Sequence, residues 1–129
     1  MLRTIIVDDE SDAVKFIESI IAEYCPNIEI VGTANSAREG VKLINEKEPD
    51  LVFLDVEMPH GSGFDLLSNF PQKNFDVIFI TAFNHYAIKA IKFSAVDYIL
   101  KPININEFVE AVKKVETARQ KNKTSNFSI

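Results

Sequence analysis

Two residue patterns alternate along this chain, and the alternation leaves few folds open. Short β-branched and aromatic runs at 4–7, 28–31, 51–54, 77–80 and 96–100 read as strands. Between them lie stretches with apolar residues at helical spacing. Ser11 is placed to cap the first, which carries Val14, Ile17, Ile21 and Tyr24. Ser36-Ala37-Arg38-Glu39 is a capping box, with Val41 and Ile44 on the helix face beyond it. Ser62-Gly63-Phe64-Asp65 opens a shorter helix with Leu66, Leu67 and Phe70, and residues 84–93 read as a fourth. Asn104 opens the last, with Ile105, Phe108, Val109, Val112 and Val115 at its apolar positions.

Five repeats of strand then helix require parallel strands, and right-handed crossovers place helices on both faces of the sheet. The strand runs are continuously apolar rather than alternating, as burial on both faces demands. The expected fold is therefore α/β, a doubly wound five-stranded parallel sheet of order 2-1-3-4-5 in three layers. A closed eight-unit barrel needs about twice the 129 residues present, whereas one open-sheet domain fits them.

In such sheets ligands bind beyond the carboxyl ends of the strands, near the switch in strand order. The first strand ends in Asp8-Asp9-Glu10, the third in Asp55, the fourth in Thr81 and the fifth in Lys101-Pro102, whereas the second runs into Gly32-Thr33-Ala34-Asn35. Strands one and three are neighbours in this order, so Asp8, Asp9 and Asp55 converge, with Thr81 and Lys101 beside them. Crowded carboxylates need protons, a lysine or a cation to offset their repulsion, and hard oxygen ligands suit magnesium. Taken alone, Asp8-Asp9 is equally readable as acids at a positive helix end. A phosphate cradle is excluded: three acids stand where glycines would be needed, and no Gly-x-Gly-x-x-Gly or Walker sequence occurs.

Composition removes other classes. No apolar run exceeds four residues, and the chain turns acidic at Asp8 where a signal peptide would stay apolar, so no membrane association and a cytoplasmic location are expected. One cysteine, Cys25, permits neither an internal disulfide nor a multi-cysteine metal site and reads as a packing group. A net charge of −5 argues against direct nucleic-acid binding by this domain. Residues 113–129 carry five Lys/Arg against one Glu, which reads as a solvated helix end or linker. Residues 1–120 are accordingly assigned to the domain and 121–129 to a tail or the start of a linker. His60 and His85 read as loop and surface residues, and Phe64, Phe70, Phe75 and Phe79 as packing groups.

Four motifs in order carry a family resemblance over residues 2–120. They are Val7-Asp8-Asp9-Glu10, the run from Phe53 to Pro59 with Gly61 and Gly63 after it, Ile80-Thr81-Ala82, and Tyr98-Ile99-Leu100-Lys101-Pro102. The chain resembles the receiver domains of bacterial two-component response regulators, whose fold is flavodoxin-like. Residues 81–87 and 96–103 look like the branch usually fused to a LytTR DNA-binding domain, which is absent from this sequence.

The resemblance implies that Asp55 accepts a phosphoryl group from a sensor histidine kinase. It also implies that Asp9, Asp55 and the backbone carbonyl of Glu57 bind Mg2+, with Asp8 acting through a metal-bound water. Lys101 would pair with the phosphoryl oxygens, its bond to Pro102 being cis, and Thr81 would donate its hydroxyl. Tyr98, on its own a half-buried strand residue, becomes by resemblance a switch aromatic that turns inward as Thr81 moves. Glu57 and Phe83 would border the path of attacking water. A phosphorylation-dependent homodimer through the fourth helix, fifth strand and fifth helix is implied, as is control of transcription. No outside substrate is expected, so the chain is read as a signalling receiver and not an enzyme. A magnesium-dependent phosphatase of the aspartyl-phosphate type fits less well, since Pro59 stands where a hydroxyl is expected and there is no room for a cap. A module that has lost phosphorylation conflicts with the intact Asp8, Asp9, Asp55, Thr81 and Lys101.

Overall fold

The computed structural model describes the backbone of residues 1–127 and the side chains of residues 1–121. Five strands, β1 (Leu2–Val7), β2 (Ile28–Ala34), β3 (Leu51–Leu54), β4 (Asp76–Thr81) and β5 (Asp97–Leu100), alternate with five helices. These are α1 (Ser11–Tyr24), α2 (Ala37–Lys47), α3 (Gly63–Leu67), α4 (Ala87–Lys92) and α5 (Ile105–Phe127). All pairings are parallel, and the sheet order is β2-β1-β3-β4-β5, as the alternation predicts. The expected tail at 121–129 falls almost wholly outside the described side chains.

Period-two geometry divides each strand between two cores. Ile5, Val7, Val52, Leu54, Val77 and Phe79 face α2, α3 and α4, while Ile6, Leu51, Phe53, Ile78, Ile80 and Ile99 face α1 and α5. Phe53 stacks on Phe108 of α5 with ring centroids 4.9 Å apart. On the other face Phe64 of α3 meets Phe79, Phe93 and Tyr86 and lies under the Lys89 ammonium. Burying side chains of this size stabilises the fold by roughly 1.5–3 kcal/mol each. Phe70 and Phe75 pack edge to face in the same layer, and Cys25 is buried at the end of α1.

Several local expectations need correction. Glu10, not Ser11, is the N-cap of α1, and its side chain makes no capping bond. The Asp8 carboxylate accepts the Glu10 N–H at 2.9 Å, which turns the chain into the helix one residue early. Tyr24 is exposed; Ile20 joins Ile17 and Ile21 on the buried face, and α1 ends before Tyr24 can pack. β2 runs on to Ala34, because a bulge opposite Thr4 and Ile5 lets Gly32, Thr33 and Ala34 keep pairing with β1. α4 is six residues, not ten, and only Ala90 of it is buried. Ser62 and Asp65 form a reciprocal box and Asn104 accepts from Glu107 N–H. The box expected at Ser36 is only half made: Ser36 accepts from Glu39 N–H, but among the described residues the Glu39 side chain makes no return bond.

Candidate functional site

The sheet's own hydrogen bonds carry the chemical residues to one rim. Beyond the strands the ladder continues with Asp8 N–H to Ala34 O at 3.0 Å, Asp55 N–H to Val7 O at 3.0 Å and Lys101 N–H to Thr81 O at 2.8 Å. Asp8 and Asp55 therefore leave the sheet at the same level, and Lys101 starts two residues further along. The Lys101–Pro102 peptide bond is cis. Gly63, at the start of α3, presses on the same loop: a Cβ there would lie 2.4 Å from the Asp55 carbonyl oxygen. Its N–H bonds Val56 O at 2.8 Å, so helix entry and Asp55 are braced together.

Asp8, Asp9 and Asp55 each place a carboxylate oxygen within 4.8 Å of the others. Asp8 and Asp55 are buried and Asp9 is exposed. Lys101 reaches across to them, with Nζ 3.0 Å from Asp8 Oδ2 and 3.1 Å from Asp55 Oδ2. Among the described residues three buried side-chain oxygens nevertheless lack a hydrogen bond: Asp8 Oδ2, Asp55 Oδ1 and Thr81 Oγ1. Asp8 meets Lys101 at ion-pair distance without an aligned bond. Orphaned buried oxygens are costly in a finished interior, and here two of the three belong to acids of one cluster, Asp8 and Asp55. Burial, aided by the nearby Asp55 charge, holds the Asp8 carboxyl above the usual range against the Glu10 N–H and Lys101. Burial pulls the Lys101 ammonium down, but Glu10, Asp8 and Asp55 outweigh it and push the ammonium up. The lysine is thus a fixed cation.

The arrangement fits a hard divalent ion. Unsatisfied carboxylate oxygens at mutual distances below 5 Å, one of them solvent-facing, are the donor set such an ion takes while keeping its waters. The rim is open rather than enclosed. A groove of about 580 Å³ beside it, between α1 and α2, is lined by Asp8, Asp9, Thr33 and Asn35 but does not take in Asp55, Thr81 or Lys101.

Two contacts around the rim are not visible in the sequence. Glu10 Oε1 lies 2.5 Å from Lys101 Nζ. Tyr86, the N-cap of α4, donates its hydroxyl to Glu57 Oε2 at 2.9 Å, and that bond pushes the phenol up. The third acid of Asp8-Asp9-Glu10 was a signal for the former; nothing in the sequence marks the latter. Tyr98 is half-buried against Phe79 and donates its hydroxyl to the Phe83 carbonyl. His60 and His85 are exposed, and Met58 is buried beneath the loop after Asp55.

Comparison with known proteins agrees over nearly the whole chain. An uncharacterized response regulatory protein of Vibrio cholerae is 40% identical over 116 residues, covering 89% of this chain and 48% of that protein. The transcriptional regulatory protein BtsR of Escherichia coli is 36% identical over 126 residues, covering 97% of this chain and 52% of BtsR. The chain thus spans about half the length of the curated relatives it matches. The crystal structure of the response regulatory domain of mrkE from Klebsiella pneumoniae superposes with a TM-score of 0.85 at 30% identity, covering 93% of this chain and 99% of that one. The sequence model of the response regulator receiver domain matches residues 4–113, a span that contains every strand end described above. With its fold, its rim of acids and these likenesses in agreement, the chain belongs to the response regulator receiver domain family.

Proposed function

We propose that this chain is switched by phosphorylation of Asp55, the phosphoryl group coming from a sensor histidine kinase. The observation that carries the reading is the state of the Asp55 carboxylate: buried, bound to Lys101 through one oxygen, and orphaned at the other. A carboxylate oxygen of Asp55 attacks phosphorus in line, a P–O bond forms, and the P–N bond to the donor imidazole breaks. Catalysis is then a matter of positioning and charge. Lys101 offers its ammonium to the phosphoryl oxygens, and Thr81 Oγ1, buried without a partner, supplies a hydroxyl donor. Asp9, Asp55 and the Glu57 carbonyl would hold Mg2+, with Asp8 acting through a water. The ion, when bound, neutralises charge on the phosphoryl group. The protein acts on no outside substrate.

The switch follows from contacts already present. Tyr98 rests its hydroxyl on the carbonyl of Phe83, two residues beyond Thr81, so movement of Thr81 toward a phosphoryl oxygen is transmitted to Tyr98. Phosphate adds about −1.5 to −2 charges and three acceptors, enough to bias a two-state loop. The face that responds carries exposed Ile88 and Ile91 of α4 and Leu100 of β5, apolar groups suited to a phosphorylation-dependent homodimer. Residues 1–120 form the receiver unit, with 121–129 leading from it. The whole protein controls transcription in the cytoplasm through an output domain of LytTR type, a reading supported by the stretches at 81–87 and 96–103.

Incubation with Mg2+ and a small acyl-phosphate donor tests the proposal. Wild type gains one phosphoryl group by intact mass, and Asp55→Asn gains none. Equal labelling of the two proteins removes Asp55 from the role.

A further inference from the structure

Lys101 has three ammonium protons and three carboxylate neighbours. Asp8 and Asp55 belong to the buried cluster and lie 3.0 and 3.1 Å from Nζ. Glu10 stands at 2.5 Å, the shortest of the three, yet its side chain is 61% exposed against 2% and 5% for the two aspartates. Glu10 is outside the group of acids whose oxygens converge. Nor does its side chain cap α1, although it sits at the N-cap. The backbone at Glu10 is held independently, through its N–H to Asp8 Oδ1. Among the described residues the carboxylate therefore has one hydrogen-bonded partner, Lys101, and a clear path into water.

We propose that Glu10 is an exchangeable counter-ion for Lys101, occupying the ammonium until a phosphoryl group on Asp55 displaces it. The inference rests on the phosphorylation of Asp55 proposed above. An ammonium has three donors and no more. A phosphoryl group joined to Asp55 as an acyl phosphate brings new oxygens to the place where Lys101 already meets three acids. Asp8 and Asp55 are fixed by the strand ladder, so the exposed partner is the one that yields. Leaving costs Glu10 little, because water solvates it at once, whereas a buried acid losing the same ion would be stranded. Glu10 thereby acts as a positioning residue: it parks the Lys101 ammonium over the acids and taxes its transfer to phosphate. Its negative charge also opposes the incoming group directly.

Two measurements on the intact chain test this. The first uses metal-free protein and reads the side-chain ammonium signal of Lys101 by proton–nitrogen correlation. Wild type holds those protons against exchange with water, and Glu10→Ala loses or broadens the signal. An unchanged signal in Glu10→Ala overturns the pair. The second measures phosphorylation by a small acyl phosphate at saturating Mg2+. Glu10→Gln and Glu10→Ala both phosphorylate several-fold faster than wild type. Rates equal to or below that of wild type overturn the inference while leaving the Asp55 reading intact. A wild type that accepts no phosphoryl group fails the Asp55 reading itself, and the ammonium signal, which needs no phosphate, tells that failure apart from loss of the pair.

Discussion

Aspartates stand at both ends of the same sheet and meet opposite fates. At the amino end, Asp50 before β3 and Asp76 at the start of β4 are about one-third exposed and paired with Arg119. Arg119 of α5 donates from Nε to Asp76 Oδ2 at 3.0 Å and from Nη2 to the Asp50 carbonyl at 2.8 Å, with Nη1 3.4 Å from Asp50 Oδ1. The Arg3 N–H takes Asp50 Oδ2 at 2.8 Å. At the carboxyl end, Asp8 and Asp55 are almost completely buried, share one lysine, and keep oxygens with no hydrogen bond. The first set is finished structure, an arginine fork tying a helix to two strands. The second carries unmet demand. That difference separates acids that hold a fold from acids that await a ligand, although the residue type is the same and both sets flank strands of one sheet.

Substitutions at the two ends should therefore separate stability from chemistry. The largest effect is expected at Asp9. Asp9→Asn removes the solvent-facing member of the cluster, so Mg2+-dependent labelling of Asp55 falls by about a hundredfold, some 2.7 kcal/mol of barrier. In metal-free protein the same change relieves repulsion and raises the melting temperature slightly. A strongly destabilised Asp9→Asn would place Asp9 with the structural acids instead. Arg119→Ala should do the reverse. Loss of the fork costs about 1–2 kcal/mol in urea unfolding, discounted for partial exposure, while the labelling rate stays at the wild-type value. A labelling defect in that variant would collapse the distinction between the two ends.

Smaller effects sharpen the picture at the rim. Phe83 is partly exposed and packs edge-on against His85 and Tyr86, and the family resemblance sets it beside the path of attacking water. Phe83→Ala should speed loss of phosphate several-fold, followed by intact mass after donor removal; an unchanged or slower decay rules out shielding by this ring. The smallest effect is a pH slope. Asp8 has its folded carboxyl raised above the ordinary value of 3.8 by burial. The folded state then binds more protons than the unfolded one in that window, so metal-free stability falls as pH rises through the raised value. Urea midpoints across that range should show the decline in wild type and lose most of it in Asp8→Asn. A slope that survives the substitution would assign it to another group.

Much of this was legible in the sequence because strand periodicity and parallel topology together determine where strand ends meet. Asp8, Asp9, Asp55 and Lys101 meet for that reason. What escaped was set by contacts between distant residues or by loops. The Glu10–Lys101 and Tyr86–Glu57 bonds join residues 91 and 29 positions apart. β2 continues through Gly32, which carries no strand signal of its own, because β1 supplies the pairing. Ser11 lost its cap because the Asp8 carboxylate, a site residue, takes the neighbouring N–H. The expected ten-residue α4 overran because Ile88 and Ile91, spaced as a helix face should be, point outward and are 74% exposed.

That last feature bears on how motion is shared out. α4 buries only Ala90, and its flanking residues Tyr86 and Phe93 both lean on the single ring of Phe64. Phe64 is fixed from below by Phe79 of the sheet and belongs to α3, which starts against Asp55. Mechanically this is a door carried on one pin, with the Tyr86–Glu57 bond as its latch. A displacement of the pin therefore bears directly on α4, whose free edge is the one where Ile88 and Ile91 stand.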